Sequence, residues 1–472
     1  MTGGTMKKSL VLLGLIAVCF MCFSVLGLQP PYFTSPVHPQ PLHADEAVQW
    51  SLAKEMSEGV AYSTNEDRFH GPTLALSLVA VSKITGTAFT DMSESYLRNV
   101  TGCYLLLLSL AAWALPGASL MSRITAAAFC FLIGGGAPFG FYFVQEVLLV
   151  AGLAWGVVLW LRSEVPESAE CRGLLRLFSG VAFGFALACK VTAAAYLILF
   201  FIALIIVRKS WADRHLFGFI LGLVASWVAF QSVGFTDMPG LATWWAQLAR
   251  SFGVASGRSE DTLTAVSYWP WIWAALWLVE FSLQRYLRER HVPFRSSSAD
   301  FILLLVGLIF CFHLLLPYKT PWLLYGVMAL PVVLLVPAQL GAGWRRDGIL
   351  LVGLLISAGY AAGDFATHSP TADLRAFEAG TVRLKEAYKG KVFYIAVEGG
   401  HYWPLPYYLR RYQVGFGDFP AAAQAPLRLI PVTDDSEPAV PGYGVTKLTL
   451  REGGDRYWVL IAKGYESVFI GK

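Results

Sequence analysis

The sequence predicts an all-α polytopic membrane bundle of about eleven spans, with a small C-terminal α/β domain outside the membrane, and three observations carry that prediction. The first is composition: of 472 residues, 56% are hydrophobic and 14% charged, where an ordinary soluble protein carries roughly 25% charge. The second is a series of uncharged apolar runs of the length that hydrocarbon requires, because an unpaired backbone polar group is not tolerated there. The third is that Lys and Arg fall in tight clusters on one side of those runs. Mean hydropathy is +0.54, which excludes an ordinary cytosolic enzyme. Seven cysteines without CxxC or Cys/His spacing argue against a disulfide framework and against a zinc site. A net charge of +4, spread over short loops, implies no nucleic-acid partner.

In chain order the first span is Ser9–Leu28, behind Lys7 and Lys8, read as retained because no convincing cleavage site follows. Asn99–Ser122, Ile124–Gln145, Val147–Leu161, Leu177–Cys189, Val191–Val207, Leu216–Phe235, Val266–Val279, Phe301–Pro317, Pro321–Leu340 and Gly348–Gly363 complete the set. Thr73–Thr85 is too short, about half a span. Charge decides its status. Only if it does not cross do the basic clusters, from Lys7 through Arg123, Arg162, Arg176 and Arg208 to Arg346, all face the cytoplasm. It is therefore expected to be an interfacial or re-entrant helix within a long outer loop, residues 29–97. The bundle occupies residues 1–363. From 364 to 472 the charge rises, and Lys391–Val397 and Tyr457–Lys463 read as strands of a domain large enough to bury its own core. The N-terminus is expected inside the cell membrane and the C-terminal domain outside it.

Ionisable residues at the outer ends of spans escape the basic-inside bias and need another reason to be there. Asp45 and Glu46 open a helical pattern in HADEAVQWSLAKEM, where acids also simply suit a helix N-terminus. Glu146 sits between the third and fourth spans among long uncharged runs. Lys190 and Lys319 stand at outer junctions, where they hold a ligand or snorkel to lipid headgroups. Arg98 opens the second span, Arg250 and Arg258 lie in the outer loop after the seventh, and His70 precedes a Gly-Pro turn. No partners stand at metal-ligand spacing around that histidine, so neither a metal nor a cofactor is implied.

Carboxylates beside a surplus of cations suit an anionic ligand such as a phosphate at the membrane surface. One chemistry needing this set is glycosyl transfer from a lipid phosphate, with a carboxylate base for the acceptor hydroxyl and cations for the departing phosphate. An anion transporter would use the same set. The middle portions of the spans carry almost no charge, which favours the enzyme.

The Asp45-Glu46 pair, the His70-Gly71-Pro72 turn, Arg98, Gln145-Glu146 and Lys190-Val191-Thr192 together resemble the membrane-embedded glycosyltransferases of the C type, whose relatives include protein O-mannosyltransferases and aminoarabinose transferases. Tyr318-Lys319-Thr320-Pro321-Trp322 with Leu330-Pro331 is similar to the Tyr-x-Leu-Pro region of the latter. HADEA, FHGP, YKTPWLL and Tyr402–Arg410 (YWPLPYYLR) resemble the prokaryotic flippase-activity-associated group. The resemblance implies Asp45 as base, Glu46 beside it, Glu146 as second acid, and Arg98 and Lys319 near the lipid phosphate. His70 matches the histidine of the mannosyltransferase His-Pro-Pro turn, with Gly71 in place of the first proline. Where the closer group carries His-Pro-Trp-Tyr, this chain has Ser267-Tyr268-Trp269-Pro270-Trp271. The implied activity is inverting transfer of a hexose or pentose from a polyprenyl-phosphate donor to a hydroxyl of a protein, lipid or glycan. The alternative is a lipid-linked sugar flippase or an accessory subunit of one.

Overall fold

The computed structural model describes residues 34–35, 38–39, 42–65, 69–118, 120–132, 142–208, 214–256, 293–316, 325–335, 373–450 and 455–471. The predicted first, eighth and eleventh spans, the boundary at 363, and the candidate residues Arg258, Tyr318 and Lys319 lie outside the described residues.

The described residues open on a pair of two-residue antiparallel strands, β1 (Thr34–Ser35) with β2 (His38–Pro39). Helix α1 (Ala44–Ser57) then carries the acidic pair in its first turn. The Thr73–Thr85 stretch is helix α2, stopped at Gly86, whose φ of +68° suits glycine at a helix C-terminus. Helix α3 (Glu94–Ala114) begins five residues before the predicted Asn99, because the Ser93 hydroxyl caps it by accepting from the Tyr96 amide at 3.1 Å. Arg98 consequently lies inside a helix, one turn beyond Glu94.

Helices α4 (Leu120–Leu132), α5 (Gln145–Ser163), α6 (Arg172–Cys189), α7 (Thr192–Arg208) and α8 (Leu216–Gln231) follow. The predicted third span ran through Gln145, but Val144 is extended at φ −132°, so Gln145 and Glu146 form the first turn of α5. Beyond α8 the chain turns through Val233, Gly234 and Phe235, all left-handed, into α9 (Gly240–Ser256), a helix where the sequence predicts a loop after the seventh span. Helices α10 (Pro293–Leu315) and α11 (Tyr325–Leu330) follow, the latter running on into a π-helical turn at Pro331–Leu335. Among the described residues α3, α5 and α6 are long and apolar enough to cross a membrane.

Helix α5 is the hub, buried along most of its length, with α3 and α6 against it. Close approach of α6 to α8 is built on glycine. A Cβ on Gly180 would stand 2.0 Å from the Phe219 carbonyl oxygen, on Gly184 2.3 Å from that of Leu223, and on Gly222 2.2 Å from that of Leu177. Small residues four apart let two backbones touch, the contact that replaces hydrophobic drive where the solvent is itself apolar. Ser226 of α8 adds to it by donating to the Val181 carbonyl of α6 at 2.9 Å, and Ser179 ties α6 to α5 by donating to the Gly156 carbonyl at 2.7 Å. Charge is sorted along α5. Its C-terminal end carries Arg162, which donates to the Ala114 carbonyl at 2.6 Å, with Arg172 and Arg176 nearby; its N-terminal end carries Glu146.

The C-terminal part forms a five-stranded mixed sheet of β3 (Ile395–Val397), β4 (Val414–Phe416), β5 (Leu427–Pro431), β6 (Tyr443–Thr449) and β7 (Arg456–Ala462), in the order β4-β3-β5-β7-β6. The strands β3 and β7 match the two runs read as strands. Helix α12 (Asp373–Ala387) covers the sheet, one turn of helix, α13 (Leu405–Tyr408), faces α1, and α14 (Glu466–Ile470) packs on α12.

Candidate functional site

Adjacent in sequence, Asp45 and Glu46 have different surroundings. His43 precedes α1 and its Nδ1 accepts from the Asp45 amide at 3.2 Å, which makes Nδ1 the unprotonated ring nitrogen. Glu46 reaches back and accepts from the His43 amide at 2.9 Å, the second half of a capping box. The same buried carboxylate accepts from Arg98 Nε at 2.9 Å and Nη2 at 2.8 Å, and from the Phe143 amide at 3.0 Å. Four donors satisfy its two oxygens, so Glu46 is occupied. The half-buried Asp45 carboxylate has no hydrogen bond or ion pair among the described residues. It sits in the first turn of α1, where the helix dipole favours negative charge.

Glu146 and Lys190 form a buried ion pair. Lys190 follows the last residue of α6, where a cation also complements the negative end of that helix. His70 lies within electrostatic reach of the pair. Burial and the Lys190 charge push its pKa down to about 3, against a smaller lift from Glu146, so the ring is neutral at physiological pH.

One segment joins the two ion pairs. Phe143 binds Glu46, and two residues on, Gln145 donates to the Gly71 carbonyl at 2.7 Å and to Gln49 of α1 at 3.1 Å, and accepts from Thr73 at 3.2 Å. The Gly71 amide donates to the carbonyl of Cys189 at 2.9 Å. This explains the glycine after His70: a Cβ there would fall 1.6 Å from the Ala188 carbonyl oxygen. The His70 carbonyl accepts from Tyr62 and, at 2.7 Å, from Gln247 of α9. Glu46, Arg98, His70, Glu146 and Lys190 thus gather around the N-terminal end of α5, with Asp45 next to Glu46 in the first turn of α1.

Arg250 stands apart, exposed, with its guanidinium 4.1 Å from the centre of the Phe69 ring. Among the described residues it has no carboxylate partner. Several members of the network were missed by sequence reasoning. Asp237 accepts from the Ser63 amide at 2.7 Å and hydroxyl at 2.6 Å, clasping the α8–α9 turn to the segment between α1 and α2. The signal was a carboxylate beside a Pro-Gly pair in a loop poor in acids. Tyr196 of α7 and His313 of α10 form a buried pair whose other ring nitrogen, Nδ1, has no partner among the described residues; a histidine inside an apolar run was the signal there. Gln49 carries no charge and left none, and Gln145 entered the sequence reading only as the neighbour of Glu146. No group of three or more His, Cys, Asp or Glu that could hold a metal occurs among the described residues.

No family model and no curated protein matches the sequence. Solved structures do. ArnT from Cupriavidus metallidurans bound to undecaprenyl phosphate matches with a TM-score of 0.59 at 14% identity, covering 97% of this chain and 99% of its own; its apo form matches at 0.60. The archaeal oligosaccharyltransferase AglB from Archaeoglobus fulgidus, in complex with an inhibitory peptide and a dolichol-phosphate, matches with a TM-score of 0.53 at 11% identity, covering 89% of this chain and 66% of that one. Over nearly its whole length the chain shares the fold of ArnT, and over 89% of it that of AglB.

Proposed function

We propose that the chain is an integral-membrane glycosyltransferase that moves a sugar from a polyprenyl-phosphate donor to a hydroxyl acceptor at the outer membrane face, with Asp45 as general base. The observation that carries this reading is the contrast within the acidic pair: Glu46 is fully engaged with Arg98, His43 and Phe143, while the neighbouring Asp45 carboxylate is unengaged among the described residues. A base must have a lone pair to offer. In this reading Asp45 takes the proton of the acceptor hydroxyl, whose oxygen attacks the anomeric carbon. The bond from that carbon to the phosphate oxygen breaks with its electron pair on the phosphate, and the configuration inverts. Phosphate is a good leaving group and needs no acid, only cations. Arg98 and Lys190 are neutralised by Glu46 and Glu146 and hold the frame. Phosphate binding falls to Arg250 and to Lys319, Arg258 and Tyr318. The two fold neighbours whose structures contain undecaprenyl phosphate and dolichol-phosphate support a carrier of that kind. An inside N-terminus, eleven spans and an outside C-terminal domain complete the proposal.

The test is transfer by the full chain in proteoliposomes, offered a panel of undecaprenyl-phosphate hexoses and pentoses. Asp45→Asn should lower transfer by about a hundredfold or more, while inserting and melting like the parent. Undiminished transfer by that variant overturns the assignment.

A further inference from the structure

The C-terminal domain touches the helix that carries Asp45 through one short element, α13. The Tyr408 hydroxyl accepts from the Leu42 amide at 2.7 Å and donates to Glu94 Oε1 at 3.1 Å. Arg375 of α12 holds the same Glu94 oxygen at 2.6 Å. Tyr407 sets its ring edge-on against Trp50 of α1, centroids 5.3 Å apart, and donates to the Met92 carbonyl at 2.8 Å. Tyr407, Tyr408, Trp50 and Leu42 are each no more than 2% exposed, so these contacts are made away from water.

The placement of these contacts along the chain matters. Leu42 lies three residues before Asp45 and Glu46 lies one after it. Leu42 is tied to Glu94 through Tyr408, and Glu46 is tied to Arg98. Glu94 and Arg98 are one turn apart on α3, so both ties end on the same helix. Asp45 is thereby held between two fasteners while its own carboxylate touches neither. A base works only when its oxygen is kept within a fraction of an ångström of its target, and a displacement of about 1 Å costs up to a hundredfold in rate.

We propose that Tyr408, backed by Glu94 and Arg375, is a positioning residue for Asp45, so that the C-terminal domain braces the general base from outside the bundle. This rests on the reading of Asp45 as base. The Tyr408 hydroxyl does this because it is donor and acceptor at once: it satisfies the Leu42 amide, which no helical carbonyl can reach, and donates its own hydrogen bond to a carboxylate fixed by Arg375.

The experiment uses the full chain in lipid nanodiscs, with whichever undecaprenyl-phosphate sugar supports transfer as donor. Tyr408→Phe keeps the ring and removes both hydrogen bonds. It should lower kcat about tenfold, leave KM for the donor within twofold, and speed hydrogen exchange at the amides of 42–50 while those of β5 and β7 keep their protection. An unchanged kcat, or unchanged exchange at 42–50, overturns the proposal; so does a raised KM at constant kcat, which would make Tyr408 a substrate contact. If exchange also rises in β5 and β7, Glu94→Gln replaces it, with kcat again expected to fall and parental kcat overturning the proposal. Full transfer by Asp45→Asn overturns the base and the brace together, whereas an inactive Asp45→Asn beside a fully active Tyr408→Phe overturns the brace alone.

Discussion

Glu46 shows how one side chain can belong to a candidate site without offering it any chemistry. Its carboxylate is shielded from water and spends both oxygens on Arg98, an N-terminal cap and the Phe143 amide. Removing one partner of such a pair leaves the other charge buried and uncompensated, which costs about 3–5 kcal/mol. Glu46→Gln should therefore lower the thermal midpoint in detergent substantially, unlike Asp45→Asn, which removes a group with no partner among the described residues. A melt of Glu46→Gln coinciding with the parent would mean that Arg98 finds another anion. Sequence reasoning placed both carboxylates in the site and set Asp45 apart as base only through the family resemblance: a helix N-terminus favours either acid, and the return of the chain at Phe143 is what engages Glu46.

At the scale of elements, the legible features were those written locally. The Thr73–Thr85 helix, the strands at Ile395–Val397 and Arg456–Ala462, and the α5, α6 and α7 helices follow from hydrophobic run length and alternation, with ends shifted by caps such as Ser93. Helix α9 was not legible, because its start depends on the left-handed turn Val233–Phe235, where Val233 adopts a φ of +53° that a β-branched residue rarely takes. The glycine contacts of α6 with α8 were written in the sequence as Gly180-x-x-x-Gly184 and Gly218-x-x-x-Gly222 but point to no particular partner until the helices are placed. Gly222→Val should separate the pair, since its Cβ would lie 2.2 Å from a backbone oxygen that cannot move alone. Overpacking of that kind costs about 3 kcal/mol, measurable as a lowered midpoint of thermal unfolding; an unchanged midpoint would show that the helices can part without loss.

For the whole molecule, the sparse charge that marks a membrane protein also narrows the candidates for a site: outside the predicted inner clusters and the C-terminal domain only eight Lys and Arg remain, among them Arg98, Lys190 and Arg250. What composition could not convey is that two of those three are already neutralised. Global stability should carry the mark of His70. Its pKa in the folded chain is about 3 against an ordinary 6.5, so between those values the unfolded chain binds the extra proton and stability rises with pH. The contribution is complete above pH 6.5 and is lost as the pH falls toward 3. Urea midpoints measured across that window should show a slope that His70→Gln removes; an equal slope in the variant would assign it to another group.

The close seating of α6 on α8 bears on motion as much as on strength. Backbones in contact at three glycines, with the Ser226 hydroxyl gripping the Val181 carbonyl, behave as a stator: one helix cannot slide past the other without lifting a carbonyl over a Cα. A catalytic cycle in this molecule would then leave that frame still and assign its moving parts to the pieces clamped onto it, the segment that carries α1 and the C-terminal domain that holds it down.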